Sequence, residues 1–182
     1  GGEEQFERMV KQCYTLILSL SIPLVILIMG SANDIITLFL GDHFTRAILP
    51  LQITAPLITI VSLSGIFGFQ VLSALSKDKA ILLSAIIGMI FSIILSILLV
   101  PHYKENGEAI TILITELSVS LSFIYFSNKY FSLKGYGNIF LNQLFEAIPY
   151  IVIIFLVKYL IGYFIYRLII TGLLSLIWFC LM

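Results

Sequence analysis

Six uninterrupted apolar runs, each long enough to cross the hydrocarbon layer of a bilayer, limit what this 182-residue chain can fold into. A crossing helix takes about 20 mostly apolar residues, within a range of roughly 17–25. The runs occupy residues 13–30, 48–75, 80–100, 109–126, 139–160 and 163–182. They are continuous and do not alternate with period two, which argues against the strands of a membrane β-barrel and for helices. The expected fold is an all-α integral membrane bundle of about six transmembrane helices. Hydrophobic residues make up 60% of the chain and charged residues 11%, whereas a soluble domain has roughly 45–50% and about 25%. A single soluble core could not hide that much apolar surface.

The connectors at 76–79, 101–108 and 127–138 are short and carry turn chemistry, with Asn106-Gly107 in one and Gly135 and Gly137 in another. Residues 1–12 read as a polar segment on the cytoplasmic side and 13–182 as the transmembrane domain. The second run is too long for a perpendicular helix, so it is expected to tilt or to bend at Pro56. The chain opens Gly1-Gly2-Glu3-Glu4 with no Met and no basic leader, so the first run is not a cleaved signal peptide and the start looks like a cut through a longer protein. With the N-terminus inside, Arg8, Lys11, Lys77, Lys79, Lys129 and Lys134 fall on the cytoplasmic side. Arg46, Lys104, Lys158 and Arg167 fall on the other, a bias that favours both termini cytoplasmic.

Ten basic and ten acidic residues balance, which leaves no electrostatic footprint for nucleic acid, so the expected partner is the lipid bilayer. Cys13 and Cys180 stand at the ends of apolar runs, and His43 and His102 stand in connectors without a nucleophile or ligand spacing around them. No catalytic constellation, metal site or cofactor motif is legible, so an enzyme is not expected.

Polar residues inside the runs are the candidates for function. Ser84, Gly88, Ser92 and Ser96 recur at four-residue spacing, a ladder that lets a neighbouring backbone approach and reads either as a helix–helix seam or as contact with a transported molecule. Glu116, beside Thr115, is costly in a bilayer and calls for a partner, water or a proton. It reads as a transport residue or as a hydrated or hydroxyl-bonded carboxyl group. Thr111, Thr115, Ser118 and Ser122 form one stripe at helical spacing, with Glu116, Ser120 and Ser127 nearly opposite. Gln52, Thr59 and Gln70 fall within one face of the second helix, suited to a polar path or to interhelical bonds. Asn142, Glu146 and Pro149 read as interfacial. Lys158 and Arg167 can snorkel outward at a level where Tyr159, Tyr163 and Tyr166 form an aromatic belt.

The order Ile86-Ile87-Gly88, Ser92, Leu99-Val100-Pro101-His102-Tyr103, Gly107-Glu108-Ala109-Ile110-Thr111 and Thr115-Glu116 resembles the later helices of bacterial O-antigen and other polysaccharide flippases of the multidrug/oligosaccharidyl-lipid/polysaccharide exporter superfamily. Gln70 with Leu72 and Leu75 before Lys77 and Lys79, Pro23, and Leu38-Phe39-Leu40-Gly41 extend the resemblance. Ser92 stands where the family commonly has Asn, and Glu108 replaces a small residue after Gly107, so polar roles tied to those positions do not carry over. The resemblance implies a partial C-terminal lobe of a two-lobe transporter, the remaining helices being supplied by the N-terminal part of the same protein. It further implies transfer of an undecaprenyl-pyrophosphate-linked oligosaccharide, an O-antigen or capsule repeat unit, across the bacterial inner membrane. Alternating access and a coupling ion, H+ or Na+, would drive the transfer. A multidrug/cation antiporter of the same superfamily, an integral-membrane polysaccharide polymerase and a membrane subunit without transport of its own stay open beside it.

Overall fold

The computed structural model describes residues 2–160, and every regular element among them is helical. That is the outcome expected where the backbone must satisfy its own hydrogen bonds in lipid. In chain order they are α1 (Gly2–Leu40), a 3-10 turn (Asp42–Ala47), α2 (Ile48–Thr54), α3 (Leu57–Ser64), a π-helix (Gly65–Ser73), α4 (Asp78–Ser127), α5 (Tyr136–Glu146) and α6 (Ile148–Leu160). The sixth apolar run, 163–182, with Arg167, Tyr163, Tyr166 and Cys180, lies outside the described residues, as do the side chains of Lys158 and Tyr159.

α1 overshoots the first apolar run at both ends. Residues 2–12, read from sequence as a separate polar segment, are already helical, because Glu, Gln, Arg, Met and Lys are good helix formers and nothing there breaks the ladder. At the other end Leu38-Phe39-Leu40, which the resemblance makes a connector, is the last turn of the helix. The chain turns only at Gly41, whose φ of 86° suits glycine and whose N–H donates to the Thr37 carbonyl at 3.1 Å. With 39 residues α1 is about 58 Å long, roughly twice the ~30 Å hydrocarbon layer.

The second run is a rod interrupted at Ala55-Pro56, both of which keep helical dihedrals. α2 ends at Thr54, the chain steps over Ala55-Pro56, and α3 starts at Leu57. The nine residues after α3 then take π geometry, which nothing in their identities announces.

α4, 50 residues long, is two helices folded on one another at Lys104, where φ is 50° and ψ −123°. A Cβ on Gly88 would strike the Val119 side chain and meet Thr115 Cγ2 at 3.8 Å, and one on Gly107 would strike the Leu99 carbonyl. Residues so far apart in sequence meet only if the chain reverses. The contacts also set the register. Stepping four residues from the Gly88–Val119 pair brings Ser92 opposite Thr115 and Ser96 opposite Thr111, and one more step reaches Val100 and Gly107, which do touch. The connector expected at 101–108 is therefore helical apart from Lys104. Gly107 serves close packing there and makes no turn.

α5 and α6 continue one another through Ala147, whose dihedrals remain helical. Pro149 has no N–H, so the ladder is interrupted between them. Asn142, Glu146 and Pro149 are all exposed.

Three side-chain contacts place α1 antiparallel to the second rod: Gln52 with Met29, Thr59 with Ser21, and Tyr14 with Phe67. Tyr14 against Tyr136 and Gly30 against Ile154 place it parallel to α5 and α6. The core gathers Val10, Tyr14, Leu18, Ile66, Phe67, Val71, Leu72, Phe123 and Tyr136 at one end of the bundle. The first arm of α4 exposes Leu82, Leu83, Ile86, Met89, Ile90, Ile93, Ile94, Ile97 and Leu98, an apolar surface far beyond what a protein shows to water. Three helical stretches, Glu4–Leu40, Asp42–Ser73 and Asp78–Ser127, are long and apolar enough to cross a membrane, and the last holds two such arms.

Gly107→Ala is expected to destabilise the bundle by about 1–3 kcal/mol, because the obstructing atoms are backbone and cannot swing aside. Gly65→Ala, with nothing within 4 Å of the new Cβ, should not. Melting of the two variants in detergent reads the difference, and equal melting temperatures would remove the hairpin contact.

Candidate functional site

The polar groups of the bundle concentrate on two seams. Between α1 and the second rod, the half-buried Gln52 donates through Nε2 to the Met29 carbonyl at 3.1 Å. Thr59 Oγ1 donates to Ser21 Oγ at 3.1 Å, and Ser21 is buried. Both side chains are thus engaged in interhelical bonds. Gln70 does not join them. It is exposed, and Val71 beside it is fully buried in the core. The shared face expected for Gln52, Thr59 and Gln70 assumes α geometry throughout. A π turn adds a residue, so Val71 arrives where an α-helix would deliver Gln70.

The second seam lies between the second arm of α4 and the second rod. Ser127, fully buried, donates to the Phe67 carbonyl at 3.0 Å, and the Phe123 ring sits where a Cβ on Gly68 would come within 2.8 Å. Ser120 is buried on the same face. Glu116, one turn further from Ser127, continues that face and is half-buried. The register of these contacts brings Glu116 to the level of the α3 residues around Thr59. A carboxyl group there can accept from a hydroxyl or carry a proton.

On the arm's other stripe most hydroxyls bond their own helix. Thr111 donates to the Gly107 carbonyl at 2.8 Å, Ser118 to that of Thr115 at 2.7 Å, and Ser122 to that of Ser118 at 2.7 Å. The Thr115 hydroxyl is buried and makes no hydrogen bond. Facing it, the ladder is graded: Ser84 is fully buried and bonded to the Ala80 carbonyl at 3.0 Å, Gly88 is buried, and Ser92 and Ser96 are half-buried.

Asp34 escaped the reading of the sequence. It is 3% exposed in α1, next to buried Ser31 and Ala32, and it has an interaction partner. Gly30, one turn earlier, rests against Ile154 of α6, where an added Cβ would lie 3.0 Å from Cγ2. Ending the run at Gly30 placed Asp34 in a connector. The available signal was the lack of any Gly or Pro between Gly30 and Gly41. Asp34→Asn is expected to lower the yield of folded protein, whereas Glu116→Gln leaves it near the parental level. Size-exclusion recovery after membrane extraction measures both.

At the end of the bundle that carries the core, cations sit on rings. Lys77 Nζ lies 4.3 Å from the Tyr130 ring centre and Lys129 Nζ 4.7 Å from that of Tyr125. Tyr136, at the start of α5, has a buried hydroxyl without a hydrogen bond. Burial first, and then the charges of Glu7 and Tyr14, push its pKa up to about 12. The folded state therefore holds the proton where the unfolded chain has lost it, so this contribution to stability is complete below about pH 10 and disappears as pH rises from there towards 12. Tyr136→Phe should flatten the alkaline loss between those limits. Removal of an unsatisfied hydroxyl should also leave stability at neutral pH equal or higher. Melting curves across pH 8–12 check both expectations.

No protein-family model matches the chain, and no solved structure matches it. A protein of Escherichia coli (strain K12) named "Putative O-antigen transporter" is 32% identical over 106 residues, which is 58% of this chain and 25% of that protein. The chain thus spans about a quarter of the length of the curated relative it matches. The apolar helical bundle and this match together make the chain similar, over those residues, to part of an O-antigen transporter.

Proposed function

We propose that this chain is the C-terminal part of a flippase that carries an undecaprenyl-pyrophosphate-linked oligosaccharide, an O-antigen or capsule repeat unit, from the cytoplasmic to the outer leaflet of a bacterial inner membrane. The observation that carries the reading is the 106-residue match to the Escherichia coli relative. The bundle supports it, since polar side chains cluster on internal seams while the outward faces are apolar. The first lobe, which would close the cavity and supply basic groups for the pyrophosphate, is the partner this reading requires. In this proposal both termini are cytoplasmic, and the Lys77 and Lys129 end lies on that side with its rings at the headgroup level.

Glu116 is the proposed coupling residue, through H+ or Na+, with Thr115 beside it. A carboxylate drives a cycle only if the two states treat it differently, because a group bound equally by both shifts no population. Its place on the α4 face that meets the second rod suits that role, since rods that slide would alter its neighbours. Gln52 has a bonded, positioning role in this scheme, and the Ser84, Gly88, Ser92 and Ser96 ladder holds the two arms of α4 together.

In the full-length protein, Glu116→Gln should reduce gradient-dependent export of the lipid-linked sugar at least tenfold at unchanged expression, and Glu116→Asp should retain part of it. Export at the parental rate by Glu116→Gln would make the residue a packing group. Retained export of cationic drugs with none of lipid-linked sugar would favour the antiporter reading. Labelling of single cysteines at 101–108 from outside the cell tests the orientation, and labelling at 127–138 instead would invert it.

A further inference from the structure

The π-helix Gly65–Ser73 is where local structure departs most from what its residues prefer. Such geometry occurs mostly as single-turn bulges, frequently at functional positions, and here it runs for nine residues. Its effect is a slip of one residue. Val71 is fully buried in the core, and Gln70, which an α-helix would place in line with Gln52 and Thr59, is exposed. The segment is well packed, with Ile66, Phe67, Val71 and Leu72 buried, but its own residues form a regular helix weakly. Gly65 and Gly68 both weaken a regular helix, and at Gly65 no packing atom lies within 4 Å to account for the glycine. Ser64, the last residue before the π segment, is buried with its hydroxyl unpaired. One bond from outside holds the π form: Ser127 Oγ donates to the Phe67 carbonyl at 3.0 Å. Phe123 fits into the notch at Gly68 beside it.

We infer that residues 65–73 form a two-register switch, in which conversion from π to α geometry turns Gln70 into the place held by Val71. The rotation needed is about 100°, one residue's share of a helical turn. In the π register an apolar side chain closes the seam between α1 and the second rod below the Ser21–Thr59 bond. In the α register an amide extends the polar line from Gln52 through Thr59 towards the Tyr14 end of the bundle. The second rod can accommodate the turn because the Ala55-Pro56 step already separates it from α2. The switch does not depend on the nature of the cargo. Ser127 and Phe123 act on it as positioning residues from α4.

The test uses Gln70→Cys and Val71→Cys in the full-length protein in native membranes, with a small maleimide and alkylation followed over time. With two registers populated, both cysteines react, and adding Ser127→Ala raises the ratio of Val71→Cys to Gln70→Cys labelling about fivefold, the effect of losing one hydrogen bond. Ser127→Thr, which keeps a hydroxyl, should restore the parental ratio. A single-residue deletion at Phe69, which removes the extra residue of the π turn, should yield folded protein in which position 70 is protected, whereas the same deletion at Ile60 should not fold. If Val71→Cys stays unreactive in both backgrounds while Gln70→Cys labels fully, or if the two deletions fold equally poorly, the switch is excluded. Because labelling and folding are read without export, these outcomes are independent of whether the protein moves a lipid-linked sugar.

Discussion

Helices in lipid gain nothing from hiding apolar side chains from one another, since the surrounding chains are equally apolar, so what joins them is close approach and polar bonding. Contacts of that kind fix several junctions of the described bundle, beside the cluster of rings and aliphatic side chains around Tyr14, Phe67 and Tyr136 at one end. Gly88 and Gly107 let the arms of α4 close on each other, Gly30 admits α6 against α1, and Gly68 admits the Phe123 ring. Thr59 with Ser21 and Gln52 with Met29 add two bonds between α1 and the second rod, and Ser127 with Phe67 adds one between α4 and that rod. Leu82, Ile90 and Ile97, by contrast, are large, apolar and exposed. Along the α4 hairpin this inverts the rule of a soluble core, because apart from Phe123 the buried residues there are small or hydroxylated and the bulky aliphatic ones point outward.

That inversion explains which parts of the fold the sequence made legible. Apolar runs mark helices because a crossing segment has no alternative, and those at 80–100 and 109–126 correspond to the two arms of α4. Ser84 and Gly88 are the most buried residues of their ladder, Gly88 against Val119, whereas the spacing alone left a seam and contact with cargo both open. Helix ends were less readable. Hydropathy marks where the chain leaves oil, and a helix does not stop there: α1 continues through residues 2–12 and again to Leu40. Asp34 was misplaced for the same reason, a buried carboxylate cut away with the polar stretch that follows Gly30.

The position of Gln70 failed for another reason. Helical spacing is an extrapolation at 100° per residue, and an error introduced anywhere along the rod is carried to everything beyond it. Gln52 and Thr59 lie seven residues apart, and both meet α1 in spite of the interruption at Pro56. Gln70 lies beyond the start of a π segment, and the accumulated phase error puts it on the outside. Nothing in Gly65-Ile66-Phe67-Gly68 announces π geometry, because the Ser127 hydroxyl that favours it comes from 60 residues away.

The two seams are also coupled through the same few residues. Ser127 and Phe123, which hold the π segment, share one face of α4 with Ser120 and Glu116. A sliding or rolling of that arm against the second rod would therefore act at both ends of the face at once. At one end it would change the surroundings of Glu116, and at the other it would release the Phe67 carbonyl. The opposite face of the arm is held more firmly, since Gly88 against Val119 and Gly107 against the Leu99 backbone leave no space for displacement. Motion of the second rod against the α4 hairpin would therefore have to carry α1 with it through the Ser21–Thr59 bond or break that bond.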